Sequence, residues 1–162
     1  MNIYIMVGNI GSGKTTLVKK ILAEKPKIVV ISRDDLRYMI GAGKYVFNPE
    51  LEPFIFESAR LMIKNLMHEE AVDILIDETN MCKKYREDYL DLVRQYAYEA
   101  TAIVMPQLDK KTCVDRRMQN PHGQDDRSIW EGVWDKFDGL YEKPTIAEGF
   151  NKISEVWEYN DG

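Results

Sequence analysis

Residues 2–17, NIYIMVGNIGSGKTTL, run from a β-branched apolar segment through a glycine-rich turn into the start of an amphipathic one. Residues 2–7 predict a strand, and residues 14–24 (KTTLVKKILAE), with Leu17, Ile21 and Leu22 at helical spacing, predict a helix. Between them Gly8-Asn9-Ile10-Gly11-Ser12-Gly13-Lys14-Thr15 fits G-x-x-x-x-G-K-[ST]. The glycines of that pattern let successive backbone N–H groups turn inward onto phosphate oxygens, and the helix N-terminus behind them adds its positive dipole end. Lys14 is then the side chain that reaches the β- and γ-phosphates, and Thr15 offers its hydroxyl to Mg²⁺. A plain glycine turn capping a helix is the alternative, and the placement between strand and helix weighs against it. Candidate nucleotide contacts are the residues from Gly8 to Thr15, with Thr16 behind them.

The same alternation continues outward from this turn. Residues 28–31 (IVVI) and 72–76 (VDILI) read as core strands, 100–105 (ATAIVM, closed by Pro106) as a fourth, and 153–157 (ISEVW) as a last one. Asn48-Pro49-Glu50 offers an N-cap, a first-turn proline and an early acid for a helix running through about Met67. Further helices are expected over 83–96, over 109–118 with Asp109 as cap, and near 125–137 with Ile129, Val133, Trp134 and Phe137 on it. Strands alternating with helices predict an α/β fold, a parallel β-sheet flanked by helices on both faces.

Composition bounds the function classes. A chain of 162 residues with 44% apolar and 30% charged residues has the makeup of one folded domain spanning residues 1–162. The net charge of −5 disfavours broad non-specific binding to a nucleic-acid duplex. Cys82 and Cys113 stand apart from any metal-type or redox-type cluster and read as buried thiols. The opening run lacks a basic leader and no segment approaches a membrane span, so no membrane partner and a cytoplasmic location are expected.

The third predicted strand delivers Asp77-Glu78-Thr79-Asn80 at its carboxyl end, where phosphate-loop proteins keep a carboxylate that helps hold magnesium. Asp77 is the candidate, and Glu78 either shares that role or is a solvated strand end. A guanine-reading N-K-x-D and a D-x-x-G after the third strand are both missing, which argues against a switch GTPase. Motor ATPases need a larger core or a hexamer interface, so a small kinase leads over a non-kinase nucleotide-binding ATPase module. A kinase needs an acceptor-side group, and open parallel sheets deliver such groups at strand carboxyl ends. The second strand ends on Ser32-Arg33-Asp34-Asp35-Leu36-Arg37. Ser32 and Asp35 match the [ST]-x-x-[DE] capping pattern, so Asp35 serves the helix start. Asp34 and Arg37, at i and i+3, share a face beside the phosphate loop, while Arg33 has no assigned role. A surface ion pair is the other reading of Asp34 with Arg37.

GNIGSGKT, RDDLR with its D-x-x-R core, IDETN, CVDRR and the tail FDGLYEKPTIAEGFNKI together resemble the polynucleotide 5′-hydroxyl kinases of phage, bacterial and animal end-healing enzymes. The resemblance covers nearly the whole chain. It implies a P-loop kinase-like fold with a helical lid at roughly 109–137, ATP and Mg²⁺ as cofactors, and Thr15 with Asp77 at the metal. It implies catalysis by Asp34 as general base, Lys14, and Arg116 as a lid residue on the donor phosphates. On the acceptor side it implies Arg37, gripping a phosphate of the acceptor nucleotide, and Thr79. The family's lid often carries a second arginine four residues after the first; Asn120 stands there, with Arg117 and Arg127 as candidate substitutes. His122 reads as a solvated loop residue in the segment 120–125, and Trp130 and Trp134 read as core packing rather than base stacking. The acceptor is expected to be a polynucleotide 5′ end, or alternatively a small metabolite hydroxyl, because an Asp-plus-Arg pair serves both.

Overall fold

The computed structural model describes residues 1–156. The chain runs β1 (Asn2–Val7), α1 (Lys14–Glu24), β2 (Val29–Ile31), α2 (Arg33–Ile40), α3 (Glu52–Glu69), β3 (Ile74–Ile76), α4 (Lys83–Gln95), β4 (Glu99–Val104), α5 (Lys110–Gln119), α6 (Arg127–Leu140), a 3-10 turn (Ile146–Glu148) and β5 (Lys152–Glu155). The five strands form one sheet in the order β2-β3-β1-β4-β5, and every pair is parallel.

Side-chain alternation explains why helices cover both faces. Ile3, Ile5 and Val7 of β1, Ile74 and Ile76 of β3, and Ala100, Ala102 and Val104 of β4 enter one apolar cluster with residues of α2, α3 and α4. Met6, Leu75 and Ile103, the intervening residues, enter a second cluster with Val18 of α1 and Met105. The central strand β1 is thus buried on both sides, and the chain leaves it toward β2 in one direction and later passes it toward β4 in the other. That reversal opens a crevice at the strand carboxyl ends, where the glycine-rich turn sits.

Local signals set most boundaries. Ser32 Oγ accepts from Asp35 N at 3.4 Å and caps α2, and Asp109 Oδ1 accepts from Thr112 N at 2.9 Å and caps α5. The start of α3 departs from expectation. Asn48 does not cap the helix: its Oδ1 accepts from Glu50 N at 3.0 Å and its carbonyl from Leu51 N at 2.9 Å, closing a separate turn. The helix begins at Glu52 with Pro53, not Pro49, in its first turn. Of the expected last strand, Trp157 lies outside the described residues. Among the described residues no helix is long and apolar enough to cross a membrane.

Candidate active site

The turn between β1 and α1 takes its shape from its glycines. Gly11 has φ +65° and Gly13 φ +97°, and a Cβ on Gly11 would stand 2.0 Å from the carbonyl oxygen of Cys113 on α5. No side chain fits there. Lys14 Nζ donates to the carbonyls of Gly8 at 2.9 Å and Asn9 at 2.7 Å. The residue is half-buried at the wall of the cleft, and burial pushes its pKa down to about 8 against the pull of Asp77. Ser12 Oγ is buried without a hydrogen-bond partner among the described residues. A desolvated ammonium held by two backbone carbonyls and an orphaned hydroxyl beside a glycine cradle suit a polyphosphate.

Thr15 Oγ1 donates to Asp77 Oδ2 at 3.3 Å, which brings together the two residues expected at a metal. Burial pushes the Asp77 carboxyl up, with Lys14 and Thr15 opposing, and a cation at this spot would favour its charged form. Two hard oxygen donors beside a phosphate cradle suit Mg²⁺, which keeps waters and phosphate oxygens as its other ligands. The described residues hold no cluster of three or more His, Cys, Asp or Glu that would form a self-sufficient protein cage.

The end of β2 brings the acceptor-side candidates into the same cleft, which has a volume of about 1200 Å³ and is lined by Lys14, Asp34, Arg37, Asp77 and Thr79 among others. Arg37 Nη1 donates to Asp34 Oδ1 at 2.7 Å. The pair is not a loose surface bridge, because the Arg37 side chain is only 12% exposed and its other edge is held by both oxygens of Glu52 at 3.0 and 2.5 Å. Burial pushes the Asp34 carboxyl up, but the Tyr45 hydroxyl bond, Arg37 and His122 outweigh it and hold it below the usual carboxylate range. Arg33 does have a structural role, since its Nε donates to Glu78 Oε1 at 2.7 Å while Tyr89 Oη donates to Glu78 Oε2 at 2.8 Å. Glu78 is therefore a buried, paired carboxylate and not a solvated strand end.

The lid candidates separate. Arg116 lies over the loop, with Nη1 3.9 Å from where a Cβ of Gly13 would be. Arg117 also lines the cleft, its Nε buried and without a partner among the described residues, whereas Arg127 pairs with Asp115 at 2.7 Å and Glu131 at 3.1 Å outside it. Two expectations need correction. His122 is not solvated: its ring stacks on Tyr45 with centroids 4.6 Å apart, its Nδ1 lies 2.5 Å from Tyr38 Oη, and its Nε2 accepts from Arg117 at 2.5 Å. Trp130 does not pack in the core either, whereas Trp134 is half-buried and does not line the cleft. No residue of α6 is fully buried, Trp130 faces the cleft with the Arg117 guanidinium 5.0 Å from its ring, and the carbonyl of Trp134 accepts from Asn9 Nδ2 at 3.0 Å. The helix leans on α5 and the loop instead of on the sheet, so its apolar side faces the cleft.

The remaining motif residues support the scaffold. Thr79 lines the cleft while its carbonyl accepts from Gly8 N at 2.9 Å, and Asn80, at φ +44°, donates to the carbonyl of Met6 at 2.9 Å. Arg86, fully buried, donates to both oxygens of Glu148 and to the Asn80 carbonyl. The tail's Glu148 and Phe150 are thus fold residues.

A phosphate loop, an acid at the end of β3 and two arginines on a helical cover define a recognisable kind of domain. The family described as an AAA domain matches residues 3–144. The chain belongs to this family. Solved structures share its fold. A fungal RNA kinase aligns with a TM-score of 0.64 and 16% identity over 99% of this chain and 76% of its own. A chain of the Pnkp1/Rnl/Hen1 RNA repair complex aligns at 0.69 with 20% identity, over 86% of this chain and 44% of its own, so this chain matches less than half of it. Shikimate kinase from Acinetobacter baumannii, in complex with shikimate, aligns at 0.59 with 14% identity over 100% and 86%. This AAA-domain chain therefore has a P-loop kinase-like fold, and that fold implies nucleotide binding.

Proposed function

We propose that the chain is an ATP-dependent phosphotransferase that moves the γ-phosphate to the 5′-hydroxyl of an RNA or DNA end. The observation that carries this reading is the Asp34 carboxylate, 42% exposed and ionised by its surroundings, opening into the cleft that contains Lys14. The loop amides and Lys14 would hold the β- and γ-phosphates, and Thr15 and Asp77 would hold Mg²⁺, which when bound neutralises charge on those phosphates. Asp34 orients the attacking hydroxyl. The hydroxyl proton passes to the carboxylate as the new O–P bond forms and the bond from the γ-phosphorus to the bridging oxygen breaks, with ADP leaving. In a loose transition state that proton is lost late, so a carboxylate needs no raised pKa. Arg116 and Arg117 would meet charge on the transferring group from the lid side.

The 5′-end reading draws support from the D-x-x-R and D-x-T-N resemblance, from the likeness to an RNA kinase, and from the rings of Tyr38, Tyr45, His122 and Trp130 on the acceptor side. A small-metabolite acceptor is favoured by one observation: Arg37 already has Glu52 and Asp34 on its fork, leaving less of it for a phosphate. Incubation with γ-labelled ATP, 5′-hydroxyl oligonucleotides and, separately, a panel of small hydroxyl metabolites distinguishes the two. Label on an oligonucleotide 5′ end is expected, and label only on a metabolite overturns the 5′-end reading.

A further inference from the structure

The two oxygens of Asp34 are not equivalent. Oδ1 accepts from Arg37 Nη1 at 2.7 Å and from Tyr45 Oη at 2.8 Å, which occupies both of its lone pairs. Oδ2 has no hydrogen bond among the described residues, and His122 Nε2 lies 3.8 Å from it. Tyr45 reaches Asp34 because the chain doubles back after α2. Ala42 and Gly43 take positive φ, Gly43 N donates to the Tyr38 carbonyl at 2.9 Å, and a Cβ on Gly41 would meet the Lys44 carbonyl oxygen at 2.0 Å. The Tyr45 ring is then fixed edge-on against Tyr38 at 5.3 Å and face-on against His122 at 4.6 Å.

We propose that Tyr45 is a positioning residue for phosphoryl transfer: with Arg37 it holds Asp34 by Oδ1, so that Oδ2 is the oxygen turned to the acceptor hydroxyl and the one that takes its proton. This rests on the phosphotransferase reading above. Burial and the charge of Asp34 push the Tyr45 phenol up, so it stays a donor throughout the working range. Arg117 donates to His122 Nε2, so a neutral imidazole carries its proton on Nδ1, toward Tyr38, and does not compete for Oδ2. The other groups whose charge Asp34 meets are Arg117 from the lid and Lys14 and Asp77 from the floor of the cleft, and none of them bonds to Tyr45.

Tyr45→Phe keeps the ring and removes only the hydroxyl. Losing a donor to the carboxylate form raises the Asp34 pKa, so the acid limb of kcat/KM for the acceptor should move up by about one pH unit. The kcat should fall roughly ten- to a hundred-fold with KM for ATP unchanged. Tyr45→Phe placed on Asp34→Asn should add little further loss in single-turnover assays. An unmoved acid limb, or the same fold-loss in both backgrounds, overturns the proposal. A carboxyl ¹³C NMR titration of Asp34, identified by its disappearance in Asp34→Asn, gives a reading independent of acceptor. A titration unaffected by Tyr45→Phe sinks the positioning claim by itself, whereas a wild-type protein that transfers phosphate to no acceptor sinks the phosphotransferase reading.

Discussion

Arg86 and Glu148 meet at 2.6 Å with 0% and 5% of their side chains exposed, whereas Arg37 and Asp34 meet at 2.7 Å with 12% and 42% exposed. The chemical groups are alike and the distances nearly equal. The first pair is closed: the 3-10 turn returns a capping box in which Glu148 also accepts from Thr145 N, and the third partner of Arg86 is the Asn80 carbonyl. Such a pair contributes to stability only because every buried charge has a partner. The second pair is closed on the arginine side by Glu52 and open on the carboxylate side, where Asp34 Oδ2 faces the cleft. Pairing alone does not distinguish a scaffold from a site. The carboxylate left with a free oxygen is the one proposed as the base.

The contrast between the two pairs is most vulnerable at Glu148. Glu148→Ala leaves the Arg86 guanidinium buried without its counter-ion and should cost about 3–5 kcal/mol of stability in denaturant titration; a loss below about 1 kcal/mol would erase the distinction. Arg37→Ala should raise KM for the acceptor roughly ten- to a hundred-fold, most for acceptors carrying a 3′-phosphate. Equal loss for every acceptor would assign Arg37 to holding Asp34 and Glu52 alone.

A smaller effect concerns Lys14. Burial holds its pKa near 8 in the folded chain, below the ordinary lysine value, so the ammonium loses its proton as pH rises through that value. Bound polyphosphate favours the charged form and reverses the shift. Binding of ATP should therefore take up ~0.7 proton at about pH 8.5 and almost none at about pH 7. Calorimetry in buffers of different ionisation heat reads the uptake, and none at either pH would remove Lys14 from the phosphates. Least affected should be Arg127→Ala, whose bridges to Asp115 and Glu131 lie outside the cleft. It should leave the denaturation midpoint near that of the wild type and transfer at the wild-type rate; a large loss of transfer would place Arg127 on the donor.

Legibility in the sequence follows the range of the interaction. The strands, the phosphate loop, the Ser32 and Asp109 caps and the Asp34–Arg37 face are all written in residues a few positions apart, and each is readable from spacing. Asn48-Pro49-Glu50 has the same local grammar as a helix start, and only the packing of Ile55, Ala59 and Ile63 on the sheet decides that the helix begins later. The roles of Arg33, Arg86 and Glu148 depend on partners far along the chain, so no local pattern announces them. His122 and Tyr45 escape a sequence reading for a related reason. Each sits in a loop, and their ring contact exists only once the Gly41-Ala42-Gly43 reversal and the α5–α6 pair are both in place. Glycines flanking Ala42 directly after an aromatic-bearing helix are the one local signal.

A single cleft is expected both to bind the triphosphate and to supply the base for its transfer. Asp34→Asn separates these two functions, with ATP affinity and label transfer to a 5′-hydroxyl oligonucleotide measured on the same samples as wild type. Near-wild-type ATP affinity is expected, with transfer reduced by about a hundred- to ten-thousand-fold. Transfer retained at the wild-type rate would contradict this and return Asp34 to the role of a surface charge.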